Sequence, residues 1–207
     1  MVGLLRMADA IEKYFERRAR KHGSAFRWTF DWRMFHVAKQ ATVEIDGIAL
    51  DVRLATFSQR QLFGGSVQFV AVRISAALPT AWRSLVLRPR GFLQLRIMGR
   101  RVLDDEFDAV VWTQGRAPDG LAALPAARTS LVKLFKKMNT NSAWLRWSRT
   151  ALSGYIKTSP GNVAQAKELA KIVSSLARTT SKPSNTEAAQ LPQAYVVRQS
   201  DDDDDDD

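Results

Sequence analysis

The sequence predicts an α+β fold: an N-terminal amphipathic helix, a mainly antiparallel sheet, one or two central helices, a hairpin and a C-terminal helix. Three observations lead there. Apolar residues recur with the helical period only near the two ends and in one central stretch. Between those stretches they alternate with period two. The resulting order, helix, sheet, helix, hairpin, helix, differs from the strict βαβ alternation that builds a parallel sheet. The 207 residues, 45 % of them hydrophobic, suffice for one domain with its own core.

The first helix is expected over residues 3–22. Leu4, Ala8, Ile11 and Phe15 share a face, with Met7 and Tyr14 alongside. Basic residues gather in the last turn, where the helix dipole favours cations, and Gly23 supplies the stop. Strands follow over 35–45 and 48–57, joined by Asp46-Gly47, the strongest short hairpin signal. In the second of them Ile48, Leu50, Val52 and Leu54 face one way, and Ala49, Asp51, Arg53 and Ala55 the other. Gly64-Gly65 turns the chain into a strand over 66–75. Residues 84–98 read as a broken strand, because Pro89 cannot donate to a ladder and Gly91 bends the chain. Another strand is expected over 107–113. Residues 118–138 read as helical, with Leu121, Leu124, Leu131, Leu134 and Phe135 apolar and Pro125 marking a break or a new first turn. A hairpin over 143–149 and 152–158 and a helix over 162–178, capped by Asn162, complete the fold. The expected organisation is an N-terminal helix at 1–23, one α+β domain at 24–178 and a disordered tail at 179–207.

That tail ends in seven aspartates, Asp201 to Asp207, on a chain of net charge +10. Without them the body holds 31 basic against 14 acidic residues, or +17. An excess of this size points to an anionic partner, and the tail is the chain's own competitor for it. The absence of cysteine excludes disulfides and thiolate metal sites. No apolar run approaches the ~20 residues of a membrane-spanning helix. The expected location is the cytoplasm, with peripheral attachment at a membrane surface as the alternative.

The run GRRVLDDEFDAVVWTQG, followed by LPAARTSLVKLF, resembles a pattern in uncharacterised bacterial proteins. There a glycine and acidic residues lead into Phe-Asp, an apolar strand, a polar turn and an R-x-x-L-x-x-L helix. The resemblance covers about residues 35–178 and rests mostly on Phe107-Asp108 and the helix after it. It implies a similar α+β domain. Members often carry N-terminal membrane helices, which this chain does not show. The resemblance carries over no catalytic residue.

Several residue patterns suggest specific chemistries. Asp104, Asp105, Glu106 and Asp108 could offer hard oxygen ligands to a divalent cation, but their spacing is not that of an EF-hand loop. The alternatives are a solvated strand entry anchored by Phe107, or an acidic counterweight to Arg100 and Arg101. Ser130 and Lys133 match S-x-x-K, the nucleophile and base of Ser–Lys hydrolases. Lys157-Thr158-Ser159 only partly echoes the K-T-G element such enzymes need, and S-D-N is missing. His22 and His36 without cysteine make a poor zinc set. No G-x-S-x-G elbow, G-x-G-x-x-G fingerprint or Walker loop is present.

Two clusters interleave aromatic and basic residues. One comprises Arg27, Trp28, Trp32 and Arg33 with Phe30 and Phe35; the other Trp144, Arg146, Trp147 and Arg149. Such clusters stack bases and track phosphates, or sit at lipid headgroups, or are simply half-buried strands with tryptophan inside and arginine outside. The reading adopted is a non-catalytic interaction domain with a basic surface for an anionic partner, membrane headgroups or nucleic acid, or for a protein. The Arg and Trp residues of the two clusters are its candidate contacts. No catalytic residue, metal or cofactor is expected. A structural or assembly subunit, or a small Ser130–Lys133 hydrolase, is the alternative.

Overall fold

The structure is a computed structural model and describes residues 2–31, 36–60, 65–78, 84–91, 102–115 and 118–181. It has the predicted α+β architecture. In chain order the elements are α1 (Val2–Lys21), β1 (Arg27–Asp31), β2 (His36–Ile45), β3 (Ile48–Arg60), β4 (Ser66–Ala77), β5 (Leu85–Pro89), α2 (Asp105–Val110), β6 (Val111–Gly115), α3 (Pro118–Phe135), β7 (Ala143–Trp147), β8 (Ala151–Thr158) and α4 (Val163–Ser181). The strands form one eight-stranded sheet in the order β1-β2-β3-β4-β8-β7-β5-β6. Every pairing in it is antiparallel.

The local signals account for the turns and caps. Helix α1 ends in a Schellman motif: Gly23 takes φ +67, its N–H reaches the Arg20 carbonyl, and the Ser24 N–H reaches Ala19. Asp46 and Gly47 both adopt positive φ, 54° and 79°, as a type I′ turn demands. That turn fixes the register Val43↔Leu50 and Ala41↔Val52. The far end of α4 ties down the same turn, where Ser174 Oγ donates to Asp46 Oδ2 and Arg178 donates to the Asp46 carbonyl. Asn162 caps α4 by accepting from the Gln165 N–H at 3.3 Å.

Helices α1, α3 and α4 bury their apolar stripes in one cluster on one face of the sheet. Ile11, Phe15 and Ala19 of α1 meet Val43, Leu50 and Val52 of the sheet there, and Leu169, Val173 and Leu176 of α4 meet Leu145, Leu152 and Ile156. Gly154 lets α4 come close, since a Cβ there would lie 2.7 Å from Leu169 Cδ1 and 2.9 Å from Val173 Cγ2.

Several expectations need correction. The stretch 107–113 is not one strand: Asp105–Val110 is helix α2, and the strand begins at Val111. Asp104 caps α2, its carboxylate accepting from the Phe107 N–H at 2.9 Å, and acidic residues fill the first turn, which offsets an apolar pattern that alone reads as a strand. Helix α3 runs unbroken through Pro125, and α4 continues to Ser181, beyond the expected boundary at 178. Helix α1 packs on the domain and shares its core through Ile11, Phe15 and Ala19. Residues 92–98, the tail from 182 onward and the side chains of Leu4, Met7 and Ala8 lie outside the described residues. Among the described residues no helix is long and apolar enough to cross a membrane.

Candidate functional site

Because strand side chains alternate, the sheet face away from the helices carries its own set of residues. Reading across the register gives one row. Arg27 of β1 pairs with Gln40 of β2, Gln40 with Arg53 of β3, Arg53 with Arg73 of β4, and Arg73 with Tyr155 of β8. Tyr155 pairs with Trp144 of β7. Continuing the β5–β7 register from Leu87↔Leu145 places Arg88 beside Trp144, and Arg88 pairs with Trp112 of β6. The row crosses all eight strands and holds four arginines, two tryptophans and a tyrosine.

A groove of about 660 Å³ lies along the middle of this row. Arg53, Arg73, Arg146, Trp144 and Tyr155 line it, with Asp51, Ser75, Ser148, Thr150, Ala151 and Ser153. Its volume falls within the range of small-ligand sites. On its floor Ser75 Oγ and Ser153 Oγ lie 2.9 Å apart; one hydroxyl hydrogen joins them, which leaves the other to donate elsewhere. Beside it, the small residues Ala38, Ala55 and Ala71 are buried under Phe57 and Tyr155. Trp144 stacks on Tyr155 at 5.5 Å between centroids and 12° between planes. Burial raises the Tyr155 hydroxyl above its ordinary pKa, so it stays protonated and able to donate.

The electrostatics of the groove are one-sided. Among the described residues that line it, three arginines face one carboxylate, Asp51, which is engaged by Gln40 at 2.8 Å and Arg53 at 3.3 Å. Arg53 and Arg73 stand directly opposite each other on neighbouring strands.

The sequence-predicted residues divide. Alternation puts Arg27 on this open face and Trp28 on the helix side, where Trp28 is 71 % exposed and lies under Lys39 Nζ at 4.9 Å from the ring centroid. Both nevertheless border a small pocket beside α1, with Glu12, Glu16, Arg20 and Lys39. Trp144 and Arg146 do share the open face, but Trp147 is fully buried in the core, which removes it as a contact. Arg149 sits exposed in the β7–β8 turn. Trp32 and Arg33 lie outside the described residues. Sequence reasoning missed Arg53, Arg73, Arg88, Trp112 and Tyr155 as members of one site. Their signal was period-two alternation of Arg with small residues, as in Asp51-Arg53-Ala55 and Ala71-Arg73-Ser75.

The other candidates take structural roles. Arg128 of α3 holds Asp104 through two bonds, Nε–Oδ2 at 2.6 Å and Nη2–Oδ1 at 2.9 Å, and also reaches Glu106 at 2.9 Å. Lys136 completes the network with Glu106 at 3.3 Å. The Arg128 guanidinium, with the Phe107 N–H, lowers Asp104 to a pKa of about 2, and Arg128 and Lys136 lower Glu106. Asp108 is buried and accepts from the Val102 N–H at 3.0 Å. These carboxylates fasten α2 to α3, and among the described residues no group of three or more histidine, aspartate or glutamate side chains could hold a metal. Ser130 is half-buried and Lys133 exposed on α3. Lys157 lies on the open face of the sheet, away from α3, over the rings of Phe57 and Phe69 at 4.8 and 4.2 Å, so the partial K-T-G echo cannot assist Ser130. His22 pairs with Glu44 at 3.3 Å beside the end of α1.

No protein-family model and no curated protein matches the chain. A solved structure with some likeness is the crystal structure of the mycobacterial trehalose monomycolate transport factor A, TtfA, at 12 % identity and a TM-score of 0.44 over 82 % of this chain and 93 % of that one. A likeness of that degree carries no functional inference.

Proposed function

We propose that the chain is a non-catalytic binding domain whose open sheet face receives an anionic partner. The observation that carries this reading is the groove in which Arg53, Arg73 and Arg146 face one already engaged carboxylate. A phosphate or carboxylate group placed there would gain charge-assisted, bidentate hydrogen bonds from the arginines. The Asp201–Asp207 run is then an internal competitor, since tethering on the same chain gives it an effective concentration on the order of millimolar. Titration of labelled polyphosphate, a single-stranded oligonucleotide and anionic vesicles at ~50 mM salt tests the proposal. At least one should bind, less tightly as salt rises, and the Arg146→Glu variant should bind less. Failure of all three to bind would refute it.

A second reading, an assembly subunit, has its own observation. Trp28, Phe30 and Val37 are 71 %, 43 % and 59 % exposed at the sheet edge formed by β1, and Phe30 and Val37 are register partners. Mass photometry that finds only monomers at micromolar concentration would count against it.

A further inference from the structure

We infer that the open face is a track for single-stranded nucleic acid, laid across the strands with phosphates on the arginines and bases against Trp144 and Trp112. The inference rests on the anionic-partner reading and adds the class of partner.

Length is the first argument. The row from Arg27 to Trp112 spans seven inter-strand intervals, about 34 Å at ~4.8 Å each. A small free anion needs one cluster of donors. Here the cations lie on both sides of the groove: Arg53 and Arg73 toward one edge, Arg88 toward the other, with Arg146 between. That spacing suits a linear chain of negative charges, and about 34 Å accommodates a site at the short end of the ~4–16 nucleotides that a single OB fold binds.

The aromatic residues supply the second argument. Trp144 and Trp112 are both half-buried on this face, and Arg88 lies between them in the register. A half-exposed indole beside a guanidinium is a platform for a nucleobase, because every base has a π-face to stack and the phosphate on either side of it meets a cation. Trp144 is held rigid by its near-parallel stack on Tyr155, so little side-chain freedom remains to be lost on binding. The hydroxyls of Ser75 and Ser153 in the same groove offer polar contacts to a base edge or a sugar.

The same geometry disfavours a membrane. Insertion among headgroups needs aromatic side chains that project from the surface, whereas Trp144 lines a groove and lies flat on Tyr155.

Fluorescence anisotropy with fluorescein-labelled dT12 at ~50 mM salt tests the inference. The comparators are a duplex of equal length, a polyphosphate of similar charge and phosphatidylglycerol vesicles. The expected result is tighter binding of dT12 than of any comparator, with quenching of tryptophan fluorescence. Trp144→Ala should weaken dT12 about tenfold and leave polyphosphate unchanged, and Trp144→Phe should restore most of the loss. Circular dichroism melts of both variants establish that they fold. Equal affinity for polyphosphate and dT12, with Trp144→Ala affecting neither, would overturn the nucleic-acid inference and leave the anion reading standing. Preference for duplex or vesicles would overturn it as well. No binding to any polyanion would overturn both.

Discussion

Replacing Gly154 by alanine should destabilise the protein through the contact that seats α4 on the sheet. The new Cβ would lie 2.7 Å from Leu169 Cδ1, 2.9 Å from Val173 Cγ2 and 3.0 Å from Leu145 Cδ2, all closer than van der Waals contact. None of the three neighbours has room to yield, because each is 0 % exposed, and Val173 is β-branched in a helix, with one favoured rotamer. Overpacking of a filled core costs about 1–3 kcal/mol. Removing glycine from the strand returns roughly 0.5 kcal/mol of backbone entropy, so the net loss should be about 0.5–2.5 kcal/mol. For a domain of this size that lowers Tm by about 1–10 °C. Chemical denaturation and thermal melts of Gly154→Ala measure it, and the cycle with Val173→Ala supplies the control. Room made at residue 173 should reduce the cost of the Gly154→Ala change, giving a favourable coupling of about 0.5 kcal/mol or more. A stability equal to or above wild type, or no coupling to residue 173, would refute the packing argument.

Other outcomes follow from the same structure. The lowered Asp104 and Glu106 carboxyls should contribute stability that is present above their unfolded values near pH 4 and lost as pH falls toward about 2. Thermal melts against pH should therefore show Arg128→Ala less stable than wild type at pH 7 and the two converging near pH 2; a constant gap would contradict this. Asn162→Ala removes the cap on the Gln165 N–H and should cost about 1 kcal/mol in a denaturant melt; no change would show that bond to be unimportant. Deleting Asp201–Asp207 should tighten polyanion binding at low salt and have little effect above ~0.15 M, where screening shortens electrostatic reach to about 8 Å. Equal affinity with and without the tail at low salt would make it a solubilising end only.

How much of this was legible in the sequence depends on how far each determinant reaches. The Asp46-Gly47 turn, the Gly23 stop and the Asn162 cap are set by near neighbours in the chain, and all three stand where their local chemistry puts them. Helix α2 was missed because the run from Phe107 to Thr113 alternates like a strand. What makes its first part helical is the Asp104 cap together with Arg128, 24 residues further on. The sheet order was not readable, since β8 inserts beside β4 and carries β7 and β5 with it, and no short-range pattern encodes that pairing. The candidate site suffered twice. Trp28 and Trp147 were grouped with their sequence neighbours although the period of two places each on the helix side of the sheet. Arg53, Arg73 and Tyr155 were not grouped at all, because they meet only through the registers of three strands.

The central claim is that the arginines of the open face form the anion site. The most direct measurement is the slope of log K against log salt for dT12, in wild type and in the variant Arg53→Gln/Arg88→Gln/Arg146→Gln. Each neutralised phosphate of a single strand contributes about −0.7. With Arg27, Arg53, Arg73, Arg88 and Arg146 each neutralising one phosphate, the wild type should show a slope of about −3.5, and the triple variant should retain only about −1.4. A triple variant that keeps both the wild-type affinity and the wild-type slope would place the anion elsewhere on the molecule and contradict the account.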